Sequence, residues 1–230
     1  MPLVSVFTTS YNKGMIALDA VASVLNQDFT DFEYWILENS DDRQTRQLLA
    51  PLVGSDSRIR YEEIDFTEQE RVSFYPAAHL LNRYYQKANG EYIFFLADDD
   101  VFWPPCFGEC VQLMEAHPQA WVVFFTMHIA RLGPGGEAVF QREIRALTDV
   151  GRGTFMPSVD CRIDGGQVAH RRACLDEIPL PWYPEDHHPN QARHCDGLWL
   201  EQLARRWRFH AIDKPLMTKR LTGLSLWDRA

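Results

Sequence analysis

Three consecutive carboxylates, Asp98, Asp99 and Asp100, follow a very apolar stretch at residues 91–97. The apolar stretch predicts a buried strand, which puts the acids at its carboxyl end, where open α/β sheets bind their ligands. Adjacent carboxylates repel one another unless a cation or hydrogen bonds compensate. A divalent cation such as Mg²⁺ or Mn²⁺ would compensate and would also hold a substrate diphosphate. The alternative is an acidic turn in solvent that caps a helix near Pro104.

Two more polar segments follow predicted strands. Residues 8–12 (TTSYN) could hydrogen-bond and stack a flat base, or could simply cap the next helix through Ser10 or Asn12. Residues 38–42 (ENSDD) offer carboxylates and an amide, or acids that cap a helix. The chain has neither a Gly-x-Gly-x-x-Gly segment nor a lysine-containing phosphate loop, which disfavours dinucleotide and P-loop binding. Polar ends on three strands of one sheet together predict a ligand site.

The elements that must position these residues alternate as in a parallel α/β sheet. Strands are predicted over residues 3–8, 34–37, 59–64, 91–97 and 121–129, and helices over residues 15–25, 43–50, 76–88 and from Pro104 onward. After residue 131 the pattern predicts a hairpin tip at 133–136, a mobile loop at 147–166, a helix at 196–207, a strand at 209–212 and a polar tail from Lys214. We therefore predict a Rossmann-like α/β fold, with a mostly parallel central sheet and helices on both faces. Within one continuous domain, residues 1–130 form a nucleotide half and residues 131–230 complete a cleft.

Composition excludes several classes of protein. The 230 residues carry 23 Lys+Arg against 32 Asp+Glu, a formal charge of −9, and no basic stripe offsets it, so a nucleic-acid partner is not expected. The N-terminal segment lacks the pattern of a signal peptide, and no apolar window is long enough to span a membrane. Five irregularly spaced cysteines are typical of reduced thiols. Together these features predict a cytoplasmic protein with no integral membrane segment.

The ordered set of motifs resembles glycosyltransferase family 2, of GT-A fold, and within it the spore-coat polysaccharide glycosyltransferase type. The motifs are VSV at 4–6, TSYNK at 9–13, VASVLNQDFTD at 21–31 followed by Phe32 and Glu33, Asn82, A-x-GEYI at 88–93, and Asp98-Asp99 followed by Pro104. The resemblance is strongest over about residues 2–125. It implies a metal-assisted, inverting transfer of a sugar from a nucleoside-diphosphate donor, expected to be a UDP- or dTDP-sugar, to a saccharide or small-molecule acceptor. The implied cofactor is Mn²⁺ or Mg²⁺.

The resemblance also implies roles for individual residues of the donor site. Tyr11 is similar to the aromatic residue that stacks on the base, and Thr9 to a base or ribose contact. Glu38 and Asn39 stand where the family has an acid pair that contacts uracil. An asparagine can accept from uracil or thymine N3–H but can also donate to cytosine N3, so the base stays open. For the phosphate side the implied residues are Asp98 at the ribose, Asp99 and Asp100 at the metal, and Arg220, in a flexible C-terminal segment, at the diphosphate.

The family also implies a general base, an acid at the start of a late helix, and Asp196 matches that position. It would take the proton from the acceptor as the acceptor attacks the anomeric carbon. An acid is also favourable there simply because of the helix dipole, and Glu185 and Asp186 are rival bases. The cluster of His187, His188, His194 and Cys195 has a metal-like composition, but tandem histidines rarely bind one ion, so zinc is disfavoured.

Some positions depart from the family pattern. Thr222 stands where many members carry a metal-binding histidine, and Pro76 where an arginine is common, although Arg71 could substitute. These departures leave open a catalytically silent protein that binds nucleotide sugars. A sugar nucleotidyltransferase is a second alternative, but it would need a glycine-rich basic segment near the N-terminus, where the first twenty residues hold only Lys13 and Gly14.

Overall fold

The structure is a computed structural model that describes residues 1–152, 159, 162–185 and 194–223. The strands within these ranges are β1 (Val4–Ser10), β2 (Phe32–Glu38), β3 (Ile59–Glu63), β4 (Tyr92–Phe95), β5 (Val101–Phe102), β6 (Val122–Leu132), β7 (Ala138–Ile144), β8 (Val150–Gly151), β9 (Val168–Arg171) and β10 (Arg208–Leu221). The helices are α1 (Met15–Leu25), α2 (Arg43–Leu49), α3 (Glu68–Ser73), α4 (Pro76–Tyr84), α5 (Cys106–Ala116), α6 (Cys174–Glu177) and α7 (Cys195–Arg206). Short 3₁₀ turns lie at Ala50–Leu52, Tyr85–Lys87 and Gly165–Gln167.

All these strands belong to one ten-stranded sheet with the order β3-β2-β1-β4-β9-β6-β10-β5, to which β7 adds along β6 and β8 along β10. The first four strands in that order are parallel to one another, and β6 and β10 form a long parallel pair. Strand β9 runs antiparallel to both of its neighbours. The predicted α/β fold with a mostly parallel central sheet is confirmed. Because β1, β2 and β4 run the same way, their carboxyl ends meet at one edge.

Helices cover both faces of the sheet, as predicted. Alternate residues of β1 face opposite layers: Val4 and Val6 pack with buried residues of α1 and α5, whereas Phe7 packs with those of α4, α6 and α7. This alternation follows from the period of two along a strand. The two apolar layers hold the sheet rigid and leave its carboxyl-end edge for polar residues.

Several predicted elements need correction in their bounds or caps. Asn12 is not the N-cap of α1, because Gly14 stands at that position and Asn12 has a positive φ of 54°. Helix α5 begins at Cys106, with Pro105 as its N-cap, rather than at Pro104. The predicted loop at 147–166 contains strand β8 and part of a 3₁₀ turn, and residues 153–158 and 160–161 of it lie outside the described residues.

The predicted polar tail from Lys214 is wrong, because β10 runs from Arg208 to Leu221. It follows β6 in parallel, with irregularities around Pro215. Lys219 and Arg220 are only 8% and 5% exposed. The charge of the two side chains predicts that they are exposed to solvent. In the fold, however, both are buried beside acids from distant parts of the chain.

Gly90 sets the approach of the segment before β4 to β1. A Cβ atom there would lie 2.5 Å from the backbone N of Ser5 and the backbone C of Val4. We expect Gly90→Ala to lower the free energy of unfolding by about 1–3 kcal/mol, since the backbone of β1 would have to move. Urea denaturation would measure the change. Gly108→Ala in α5 is the control, because no atom lies within 4 Å of its added Cβ, and we expect it to stabilise the protein by about 0.5–1 kcal/mol. Equal effects of the two substitutions would contradict the prediction.

Candidate active site

The carboxyl ends of β1, β2 and β4 bring the three predicted polar segments together. Ser10 and Glu38 are register partners in β1 and β2. The backbone N–H of Tyr11 donates to Asp98 Oδ2 at 2.8 Å, and that of Asn39 donates to the carbonyl of Ser10 at 2.9 Å. The polar residues that follow three separate strands therefore share one site at the sheet edge.

An aromatic and amide cluster occupies the β1–β2 side of this site. Tyr11 is 41% exposed, and its hydroxyl donates to Asp41 Oδ2 at 2.5 Å. The guanidinium carbon of Arg71 lies 4.6 Å from the centre of the Tyr11 ring. Arg71 also donates to Asn39 Oδ1 at 3.2 Å and forms an ion pair with Asp41 at 2.8 Å. An aromatic ring, an amide and a cation thus lie together. Such a ring can stack on a nucleobase, and such an amide can form hydrogen bonds with its edge.

Arg71 reaches this cluster because of helix α3, which is absent from the predicted elements. Thr67 caps α3 by accepting from the backbone N–H of Glu70, and the Glu70 side chain accepts from the backbone N–H of Thr67. The spacing Thr67-x-x-Glu70 is the sequence signature of such a capping box and could have revealed the helix. Pro76 instead starts α4, as predicted.

The residues beneath the cluster are buried and fix its shape. Glu38 is fully buried; its Oε1 accepts from the backbone N–H of Ser40 at 2.6 Å, and its Oε2 has no hydrogen-bond partner. The amide nitrogen of Asn39 donates to the carbonyl of Ser10 at 2.9 Å. Thr9 is half-buried at the end of β1. Asn12 does not cap α1. Its Oδ1 instead accepts from the backbone N–H groups of Asp41 and Asp42, at 3.0 and 3.1 Å.

The three consecutive acids are buried and individually bound. Asp98, Asp99 and Asp100 are 6%, 6% and 1% exposed, so the alternative of an acidic turn in solvent is wrong. Lys13 Nζ lies 2.5 Å from Asp99 Oδ2. The backbone N–H of Arg220 donates to Asp100 Oδ1 at 2.8 Å. Protein cations and amides thus compensate part of the mutual repulsion.

The compensation is incomplete. Burial, followed by repulsion from Asp99, raises the pKa of Asp98 to about 8. Burial also raises the pKa of Asp100 to about 7, although the nearby Lys219 ammonium opposes the rise. Asp100 Oδ2 is buried without a hydrogen bond, 3.6 Å from Lys219 Nζ. Under-neutralised carboxylates are hard oxygen ligands, so this donor set fits a divalent cation in both charge and chemistry.

The described residues hold no group of three or more His, Cys, Asp or Glu side chains that could bind a metal ion alone. Mg²⁺ in nucleotide sites is commonly held by one or two carboxylates together with substrate phosphates, and a full protein cage is not required. The acids therefore fit a cation shared with a diphosphate.

Arg220 lies next to the acids but is heavily engaged. Its Nε donates to the carbonyl of Asp99 at 2.5 Å, and its two terminal nitrogens donate to Asp19 Oδ2 at 2.7 Å and to the carbonyl of Ile16 at 3.0 Å. All three nitrogens bind protein oxygens, and the residue lies in a strand rather than in a flexible tail. Its contact with a diphosphate stays a prediction that requires at least one of these bonds to be exchanged.

Asp196 is half-buried in the first turn of α7, which begins at Cys195, one residue before the predicted start. Its Oδ1 accepts from the backbone N–H of Gly197 at 2.9 Å, and its Oδ2 accepts from that of Gly165 at 3.0 Å. Burial, followed by repulsion from Asp164, raises the pKa of Asp196 to about 6. A carboxylate with this pKa is mostly ionised at pH 7 and still accepts a proton readily, as a general base must.

The phenol of Tyr75 interacts electrostatically both with Asp196 and with the acids that follow β4. It carries a raised pKa, mainly because of burial, and the charges of Asp196, Asp98 and Asp99 raise it further. The same phenol therefore feels the first residues of α7 and the residues that follow β4. Asp196 and the acid cluster therefore act on one side chain, although they are about a hundred residues apart in the sequence.

Other predicted candidates fall elsewhere. Glu185 is bound to His79 Nδ1 at 2.9 Å and to the amide nitrogen of Asn82 at 2.8 Å, so both of its oxygens are used. Its rival Asp186, and the paired histidines that follow it, lie outside the described residues.

Sequence reasoning assigned no role to three charged residues of the site: Lys13, Asp164 and Lys219. Lys13 lies in the TSYNK motif. Its charge, directly after a polar strand end, was the signal that could have indicated a place in the site. Asp164 lies in the predicted mobile loop, although Asp164-x-x-Gln167 has capping-box spacing and does cap the 3₁₀ turn. Lys219 carried no signal, because its partners are distant in sequence.

The family model described as "Glycosyl transferase family 2" matches residues 5–139, more than half of the chain. The chain belongs to glycosyl transferase family 2. The matched segment of this family 2 chain includes the ends of β1, β2 and β4 with the acid cluster, and it stops before Asp164, Asp196 and Lys219.

Known relatives extend beyond the length of this chain. It is 28% identical over 221 residues to Protein CgeD of Bacillus subtilis (strain 168). The matched segment covers 94% of this chain and 49% of CgeD. The chain therefore spans about half the length of that curated relative. The structure of S. aureus TarS 1–349 in complex with UDP-GlcNAc superposes with a TM-score of 0.63 at 17% identity, covering 100% of this chain and 61% of TarS 1–349.

A second structure has a similar fold: the mannosyltransferase PcManGT from Pyrobaculum calidifontis, in complex with GDP-Man and Mn²⁺, has a TM-score of 0.55 at 15% identity and covers 95% of this chain and 56% of its own. At these identities the two structures establish the GT-A-like fold alone. Among the described residues, no helix is long and apolar enough to cross a membrane.

Proposed function

We propose that this chain is an inverting glycosyltransferase that moves a sugar from a nucleoside-diphosphate donor to a saccharide or small-molecule acceptor, with Asp196 as the general base. The observation that carries the proposal is the series of contacts between Asp196 and the acids that follow β4. Lys219 pairs with Asp100 and with Asp164. Gly165, the residue after Asp164, donates its backbone N–H to Asp196. Family membership supports sugar transfer as the reaction class.

The donor nucleotide is proposed to bind at the ends of β1 and β2. The exposed ring of Tyr11 would stack on the base, with Thr9, Glu38 and Asn39 as polar contacts and Asp98 at the ribose. UDP and dTDP are the proposed nucleotides, and TarS, solved in complex with UDP-GlcNAc, supports testing UDP first. The Asn39 amide, which both donates and accepts, is compatible with more than one base.

We propose that Asp99, aided by Asp100, holds Mn²⁺ or Mg²⁺ together with the donor diphosphate. When bound, such an ion would supply positive charge where negative charge develops on the leaving diphosphate. The solved PcManGT complex contains Mn²⁺, which supports the choice of that ion for the first experiments. Arg220 is the proposed protein cation on the same diphosphate.

The chemistry assigned to this chain's own residues is a single displacement. Ionised Asp196 takes the proton of the acceptor hydroxyl while that oxygen forms a bond to the anomeric carbon. The bond from the anomeric carbon to the diphosphate oxygen breaks, and its electron pair leaves with the nucleoside diphosphate. Attack from the opposite side inverts the anomeric configuration. The hydrogen bonds from Gly165 and Gly197 orient the carboxylate for this step.

Nucleotide binding tests the donor half of the proposal. We expect UDP or dTDP with Mn²⁺ to raise the melting temperature, because a ligand that binds only the folded state stabilises it. Tyr11→Ala should weaken binding by about tenfold or more, since stacking on an aromatic ring is worth about 1–3 kcal/mol per base. A thermal-shift panel of UDP, dTDP, CDP and GDP would measure both effects.

The control for that panel is Phe140→Ala, which removes another exposed aromatic ring from β7 without touching the site. It should leave every nucleotide shift unchanged. Failure of all four nucleotides to shift the wild-type protein would overturn the donor site. Binding without any release of nucleoside diphosphate from a donor sugar would instead favour a catalytically silent protein.

A further inference from the structure

Lys219 is a buried lysine that the reaction above does not use. It is 8% exposed in β10, and its Nζ lies 2.7 Å from Asp164 Oδ2 and 3.6 Å from Asp100 Oδ2. Burying an ammonium ion is costly unless acids compensate it. The two acids come from different parts of the site: Asp100 belongs to the cluster after β4, and Asp164 precedes the 3₁₀ turn Gly165–Gln167.

Asp164 shapes that 3₁₀ turn. Its Oδ1 accepts from the backbone N–H of Gly166 at 2.9 Å, and its own backbone N–H donates to Gln167 Oε1 at 3.0 Å. The Gln167 amide nitrogen donates to the carbonyl of Phe125 in β6 at 2.7 Å. The turn is therefore bound to β6 through Gln167 and to β10 through Lys219.

The first residue of the turn holds the proposed base. Gly165 donates its backbone N–H to Asp196 Oδ2 at 3.0 Å, and a Cβ added at Gly165 would lie 3.1 Å from Asp196 Cβ. Contacts thus run without a break from Asp100 through Lys219 and Asp164 to Gly165 and Asp196. This path joins the acid cluster to the base.

We propose that Lys219 is a positioning residue: through Asp164 and the 3₁₀ turn it holds the Asp196 carboxylate ionised and in place, and it couples that carboxylate to the acids after β4. The inference rests on the proposed function only for the identity of Asp196 as the base. The contacts themselves do not depend on the reaction.

The two members of the buried pair act on Asp196 with opposite signs. Repulsion from Asp164 raises the pKa of Asp196, and attraction from Lys219 lowers it. Within the part of the chain that the structure describes, Cys195 in the same helix and the phenols of Tyr75 and Tyr183 also interact with Asp196. These three groups are neutral near pH 6, so substitutions in the Lys219–Asp164 pair change the charge that acts on Asp196.

A carbon-13 NMR titration of the Asp196 carboxyl group, assigned with Asp196→Asn, tests the coupling on the full chain without any substrate. We expect the titration midpoint to rise by about one pH unit in Lys219→Met, which removes an attractive charge, and to fall by about one in Asp164→Asn, which removes a repulsive one. The double variant should titrate close to wild type. Lys214→Met is the control, because Lys214 lies in the same strand but is exposed and pairs with Glu109.

Midpoints that stay in place, or that move in the same direction in both single variants, would overturn the inference. If Lys219→Met does not fold, Asp164→Asn and the double variant decide the question. The pH dependence of UDP release from a UDP-sugar separates the two proposals. Midpoints that shift as expected, with an acid limb of turnover that does not follow them, would uphold the coupling and contradict Asp196 as the base.

Discussion

Asp196→Asn is expected to lower turnover by about 10²–10⁴-fold, the usual contribution of a general base, while donor affinity changes little. An amide cannot take the proton of the acceptor hydroxyl. The measurement is the release of UDP or dTDP from the corresponding sugar nucleotide with water as the acceptor, together with calorimetric titration of the nucleotide. The pKa of about 6 implies that wild-type turnover falls as the pH drops through that value.

The controls for this variant follow from the hydrogen bonds of Asp196. An asparagine has one oxygen in place of two, so it can keep the bond from Gly165 or from Gly197 but not both. A loss of about 1 kcal/mol in unfolding free energy is therefore expected and should be measured. Asp176→Asn, an exposed acid in the first turn of α6, should change neither property. Undiminished turnover in Asp196→Asn would remove it from the role of base, and loss of donor binding would reassign it to the donor site.

Asp99→Asn is expected to have the second largest effect, a loss of turnover of about 10²-fold or more, because the proposed cation would lose its charged ligand. The decisive measurement is the thermal shift by UDP with Mn²⁺ and with EDTA. Wild type should shift more with Mn²⁺, whereas the variant should give the same small shift in both conditions. A variant that keeps the wild-type dependence on Mn²⁺ would contradict the assignment.

The unliganded Asp99→Asn variant should melt close to wild type, because two effects of opposite sign act on its stability. Removing one charge relieves the repulsion that Asp98 experiences from Asp99. The loss of the ion pair with Lys13 opposes this gain, while the backbone carbonyl of residue 99 keeps its contact with Arg220. A matched control is Asp56→Asn, which removes an acid paired with Arg58 at a distance from the site. Lower activity without lower stability distinguishes a functional acid from a structural one.

The meeting of polar residues at the ends of β1, β2 and β4 could be predicted from the sequence, because the signals for it are local. Strands β1, β2 and β4 are apolar runs that end in polar residues, and parallel strands bring such ends together. Asp98 and Tyr11, far apart in sequence, meet for this reason. The position of Asp196 could be predicted for a similar reason, since it lies in the first turn of an amphipathic helix.

The rest of the site could not be predicted, because its residues are defined by distant partners. Lys219 and Arg220 resemble a solvated tail until the acids that bury them are known. Strand β9 has only four residues and follows a 3₁₀ turn, so it shows no period long enough to recognise. Hydropathy reports the preference of a residue for water and does not report the ion pair that reverses it.

The place of β9 in the sheet has a consequence for how the protein folds. Residues 168–171 lie between β4 and β6 and join the two by backbone hydrogen bonds. A nascent chain that has emerged only through β7 would hold two partial sheets, each with an open edge able to pair with other chains. The parallel half is therefore not a self-sufficient folding unit, because its closing strand is synthesised late. We therefore expect the proposed donor site and Asp196 to become ordered together, in a step that long-range pairing makes slow.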